Sequence, residues 1–143
     1  MIEFIEEPFV IKPDNKQVIL PITVKPGMQP AGTESVSKYF PSIIKTVELL
    51  QSEGLSVGSL LKDVSCSAVN ISLLVTDFRA RPGANVNYLT QALTALSAHL
   101  RSMEGTFDIA PLATEDEVPA SLIKDLVTGI MGDTPANVRF YLK

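Results

Sequence analysis

Between Val64 and Leu100, a span of 37 residues, the only formally charged side chains are Asp77, Arg79 and Arg81. The stretches on either side, residues 64–76 and 82–100, carry no formal charge at all. Charged side chains seek water, so a segment that avoids them is covered on more than one side. The pattern predicts a buried middle layer with one ionic loop, Asp-Phe-Arg-Ala-Arg, at its edge.

Strand and helix signals alternate around that layer. Residues 2–11 are rich in β-formers, and Pro13-Asp14-Asn15 supplies turn chemistry before a second strand at 17–24. In that strand Val18, Leu20, Ile22 and Val24 share one face, and the two strands read as an opening hairpin. Pro21 cannot donate to a ladder, which predicts an edge position or a bulge. A helix is expected from Pro41, with Ile43, Val47 and Leu50 on its apolar face and Gly54 as its stop. Val36 and Phe40 continue that spacing upstream, and residues 55–62 read as a further short helical turn.

Residues 68–76 predict a strand buried on both faces, with Val69, Ile71, Leu73 and Val75 on one side and Leu74 on the other. The best helical seam follows over 86–103: Val86, Leu89, Leu93, Leu96, Leu100 and Met103 recur at intervals of three and four. Gly105 ends it. A short strand at 106–110 turns Phe107 and Ile109 inward. A third helix at 119–131 carries Leu122, Ile123, Leu126, Val127 and Ile130, with Gly132 after it. The last strand, 137–142, directs Val138, Phe140 and Leu142 to the core. The order ββαβαβαβ predicts one α+β domain over residues 1–143, a mixed sheet of four to five strands with about three helices.

The totals exclude several functions. A net charge of −4 and a pI near 4.9 oppose nonspecific nucleic-acid binding, which needs a basic stripe. Cys66 is the only cysteine, so no internal disulfide forms, and it reads as a small buried apolar side chain. The acidic amino terminus lacks the basic region of a secretory signal, and no run reaches the ~18 apolar residues of a membrane span. These features predict a soluble protein, cytoplasmic or within a cytoplasmically assembled particle.

The catalytic inventory is thin. His99 has no His, Cys or carboxylate three or four residues away, so it reads as a helix-surface residue near a C-terminus. Asp108, Glu115, Asp116 and Glu117 have no spacing that demands a metal, and residues 114–117 are explained as the charged entry to the third helix. No metal and no cofactor is expected.

Two segments remain as candidate sites. The strand–loop–helix segment 77–85 offers Asp77, Arg79, Arg81, Gly83 and Asn85, where two arginines and a helix N-terminus suit a phosphate or carboxylate. It matches no phosphate-loop pattern, and the simpler reading is a solvated turn whose arginines pair with Asp77 or with another subunit. The loop at 25–33, with Pro26, Met28 and Pro30, gives no polar cradle and reads as an ordered connection or partner contact. On the long helix, Asn87, Gln91, Thr94, Ala95 and Ala98 make a face that is polar yet uncharged, as interface cores are. The leading expectation is therefore a non-catalytic, self-associating assembly or adaptor subunit, of a virion, tail-like or secretion-type particle, with protein partners. The alternative is a small-anion binding protein or transferase that uses residues 77–85.

Overall fold

The computed structural model describes residues 1–9, 17–24, 42–66, 69–76, 82–103, 105–113 and 118–142; at 23, 42–44, 62–66, 69–70 and 82–85 it describes the backbone alone. Among the described residues six strands and three helices follow in the order β1 (Ile2–Ile5), β2 (Gln17–Thr23), α1 (Ser42–Glu53), β3 (Leu60–Cys66), β4 (Val69–Thr76), α2 (Pro82–Leu100), β5 (Thr106–Ile109), α3 (Ala120–Met131) and β6 (Asn137–Tyr141). The mixed α/β single domain stands as expected, with one strand more than the upper count.

The strands form one sheet in the order β1-β6-β5-β2-β4-β3. All neighbours are parallel except β3, which runs antiparallel to β4 at one edge. Parallel neighbours need crossover connections, and these are right-handed because a twisted strand feeding a helix packs back only that way. The chain travels one way from β2 to β4, and the opposite way from β4 to β5 and on to β6. Opposite travel with one handedness places helices on opposite faces. Accordingly, Val47 of α1 packs with Val18, Leu20, Ile22, Ile71, Leu73 and Val75 on one face. Leu89, Leu93, Leu96 and Leu100 of α2 pack with Ile123, Val127 and Met131 of α3 on the other, against Ile19, Leu74, Phe107, Ile109, Val138 and Phe140. The result is a three-layer α/β/α sandwich.

Four local expectations change. The opening hairpin does not form: β1 pairs with β6, Ile2 opposite Val138 and Phe4 opposite Phe140, while β2 lies between β5 and β4. The mixed character of the sheet comes from β3 instead. Residues 60–62 are strand, not helix. Gly58, at φ +87°, donates its N–H to the Val75 carbonyl at 3.0 Å, and Ser59 accepts from Val75 at 2.9 Å. This pairing seats Leu60 against one core and Leu61 against the other, as alternation in a strand requires. Helix α2 starts at Pro82 rather than at 86, since proline fits a first helical turn. Finally, Pro21 sits in a central strand, buried.

The strand proline is tolerated for a geometric reason. The Ile19 carbonyl accepts from Ala110 N–H at 3.0 Å, so Ile19 turns its backbone groups to β5, and Pro21, two residues on, does the same. But β5 pairs with β2 only at Val18 and Ile19, so the missing N–H falls beyond the last rung. Other expectations hold as read. Gly54 and Gly105 follow α1 and precede β5 at φ +99° and +105°, and Ile71, Leu73, Leu74 and Val75 are all fully buried.

Candidate functional site

Helices α2 and α3 link parallel strands directly, β4 to β5 and β5 to β6, so both of their N-termini face the carboxyl edge of the sheet. Neither has an acidic residue in its first turn, and α3 has no side-chain cap. The partial positive charge at such a helix start suits an anion. Only residues 77–81 separate β4 from α2, which keeps the α2 N-terminus close to this edge.

The edge is stepped. Strand β2 pairs with β4 out to Thr23 opposite Thr76, whereas its pairing with β5 stops at Ile19. Four residues of strand rise about 13 Å, so β2 and β4 stand well above the end of β5. At the top of β4 the Thr76 hydroxyl, fully buried, donates to the Ile22 carbonyl at 3.2 Å and ties the two strands together. At the foot of the step, Ala110, Leu112 and Ala113 are buried as the chain leaves β5. Connections leave β2 and β5 in opposite directions, and such a switch point is where open α/β sheets form a crevice.

Of the residues singled out in the sequence, Asp77, Arg79 and Arg81 lie outside the described residues. So do the expectations for residues 25–33, for Val36, Phe40 and Pro41, and for the acidic run 114–117. Gly83 and Asn85 fall in the first turn of α2, at the stepped edge. The Cys66 side chain is likewise not described. Asn87, Gln91, Thr94 and Ala98 are exposed on the outer face of α2, and Ala95 is partly buried. The hydroxyls of Thr90 and Thr94 donate to the carbonyls of Val86 and Thr90, at 2.8 and 2.7 Å. Such back-bonding satisfies these two hydroxyls within their own helix. His99 is in the last turn of α2, as expected.

Sequence reasoning missed one ionic feature. Asp108 on β5 and Arg139 on β6 are register partners, on the face of the sheet that bears α1. Arg139 donates to both carboxylate oxygens, Nε to Oδ1 at 2.6 Å and Nη2 to Oδ2 at 2.9 Å. The hydrogen bond to Asp108 raises the Arg139 pKa, and burial works against it. Next along β6, Tyr141 stacks edge-on against buried Phe9, with centroids 5.2 Å apart. The available signal was a charge at the polar position of two apolar strands, Phe107-Asp108-Ile109 and Val138-Arg139-Phe140.

Burial, and then the Asp108 charge, raise the Tyr141 pKa above its ordinary value. A phenol whose folded pKa lies above its unfolded value near 10 contributes stability that is full below pH 10. That contribution is lost as pH rises through the folded value. Denaturant melts between pH 9 and 11 should therefore show a steeper alkaline decline for the parent than for Tyr141→Phe. Identical profiles would remove Tyr141 from the alkaline transition.

Comparison with known proteins bears on the whole arrangement. No family model matches the sequence, and no curated protein matches it. Among solved structures, the macrodomain of Thermus aquaticus DarG superposes with a TM-score of 0.74 at 12% identity, over 100% of this chain and 98% of that one. The macrodomain of Mycobacterium tuberculosis DarG gives 0.72 at 13% identity, over 99% and 97%. A macrodomain protein from Streptomyces coelicolor gives 0.65 at 12%, over 99% and 98%. The fold is macrodomain-like.

This macrodomain-like fold corrects the leading expectation. Macrodomains are ligand-binding or hydrolase-type domains, not structural assembly subunits, and they match this chain from end to end. The assembly or adaptor subunit is therefore set aside. Among the described residues no helix is long and apolar enough to cross a membrane, and no cluster of three potential ligands surrounds a metal site.

Proposed function

We propose that this domain binds a small phosphate-bearing molecule in the crevice at the carboxyl edge of the sheet, between β2 and β5. The observation that carries the reading is the switch point itself. Connections part there, the N-termini of α2 and α3 face the same edge without acidic first turns, and the fold resembles that of macrodomains. Phosphate is the group best matched to free N–H donors at a helix start. In this reading the α2 N-terminus, with Gly83 and Asn85 in its first turn, receives the phosphate. Arg79 and Arg81, next to it in the sequence, carry the guanidinium chemistry that binds phosphate bidentately.

The test is thermal unfolding and calorimetry against inorganic phosphate, pyrophosphate, ADP, GDP and succinate. A ligand at 100-fold excess over its Kd stabilises by about 2.7 kcal/mol, a readily measured shift. Arg79→Gln with Arg81→Gln should weaken phosphate-ligand binding at least tenfold and leave the melting temperature of the free protein almost unchanged. No shift with any phosphate compound would overturn the proposal, and a shift with succinate alone would reassign the site to carboxylates.

A further inference from the structure

We infer that Pro21 and Pro111 together open the crevice, by ending the pairing of β5 on both of its sides. The assignment of a ligand to that crevice rests on the function proposed above; the effect on the sheet does not. The hydrogen bonds fix which way each backbone group points. Ala110 N–H donates to the Ile19 carbonyl at 3.0 Å, so Ile19 and Pro21 both face β5. The next rung of a parallel ladder would run from the N–H of residue 21 to the Ala110 carbonyl. Proline has no N–H to give.

The other side of β5 is built the same way. Asn137 N–H donates to the Gly105 carbonyl at 3.1 Å, which turns residues 105, 107, 109 and 111 of the β5 segment toward β6. It also turns residues 137, 139 and 141 of β6 toward β5. The next rung there would run from the N–H of residue 111 to the Tyr141 carbonyl, and residue 111 is again proline. Pairing of β5 duly ends at Ile109 on both sides, opposite Ile19 and opposite Phe140, while β2 continues with β4 to Thr23.

Both prolines are buried. Solvent exposure at a turn therefore does not explain them, and a buried proline inside a sheet removes a ladder bond with each occurrence. Two such losses converge on the last residues of one strand, at the point where connections part in opposite directions. With ordinary residues at 21 and 111, β5 would zip upward between β2 and β6 and fill the step. The prolines hold the step open, and they are positioning residues for whatever the crevice receives.

The experiment compares the parent with Pro21→Val, Pro111→Val and the double variant, each as the full chain. Pro21→Ala and Pro111→Ala, which are less bulky, serve if a valine variant does not fold. Amide hydrogen exchange on the ligand-free protein reads the sheet directly. The new amide at position 21 should exchange at least 100-fold slower than an unprotected one, and the Leu112 amide should slow as well. Calorimetry with ADP should show a Kd at least tenfold weaker than the parent's, with the circular dichroism of the fold retained. An amide at position 21 that exchanges at the unprotected rate overturns the inference. So does a protected amide 21 accompanied by an ADP Kd within twofold of the parent's. If the parent itself binds no ADP, the ligand half falls with the proposed function, and the exchange rate at position 21 alone decides whether the prolines end the strand.

Discussion

Leu73→Ala is expected to destabilise the domain by about 2–5 kcal/mol. Leu73 is fully buried on β4, in the core that α1 closes with Leu20, Ile22 and Val47. Strand β4 is paired on both sides, with β2 and β3, and its other face is occupied by Leu74 against α2. Neither face can collapse into the space left by the lost methyl groups, so the cavity term adds to the transfer term. Urea unfolding at constant m-value measures the loss. A change below about 1 kcal/mol would mean that β4 is not locked between two covered faces, and the three-layer arrangement would fail with it.

Arg139→Met is expected to cost about 3 kcal/mol, far more than an exposed arginine contributes. Asp108 is almost wholly buried, with 4% of its side chain exposed, against 38% for Arg139. Removing the arginine withdraws two charge-assisted hydrogen bonds from a carboxylate that cannot turn to water. Asp108→Asn should cost less, about 1 kcal/mol, because the partly exposed guanidinium can rehydrate. Replacing both, with Asp108→Leu and Arg139→Met, should cost clearly less than the sum of the single changes, since neither charge of the pair is then left without the other. Additive costs in the three melts would show that the two groups do not act as a pair. The pair also clamps β5 to β6 one residue before the point at which pairing stops, so it bears on the step as well as on stability.

The elements were legible in the sequence because each records its own burial. The α2 seam of Leu89, Leu93, Leu96 and Leu100 states a helix with one covered face, and all four are fully buried. The charge-free run through Ile71, Leu73, Leu74 and Val75 states a strand with two covered faces. Gly54 and Gly105 mark places where the backbone takes a positive φ that other residues resist. The Asp-Phe-Arg-Ala-Arg segment was legible as the edge of the buried layer, and connectivity puts it between the end of β4 and the start of α2.

Neighbours were not legible, because periodicity tells which face is covered and not by what. Ile2 pairs with Val138 across nearly the whole chain, and no local signal distinguishes that from a hairpin with residues 17–24. Leu60 and Leu61 became strand only because β4 offered them a partner. Asp108 and Arg139 met because a crossover brought β6 beside β5 in register. Pro21 shows the division most plainly. The sequence by itself determined that residue 21 donates no ladder bond. Only the tertiary structure decided where that missing bond falls: beside the last rung of β5, in the middle of the sheet, because strand order is set by long-range packing and handed crossovers, which a local pattern does not encode.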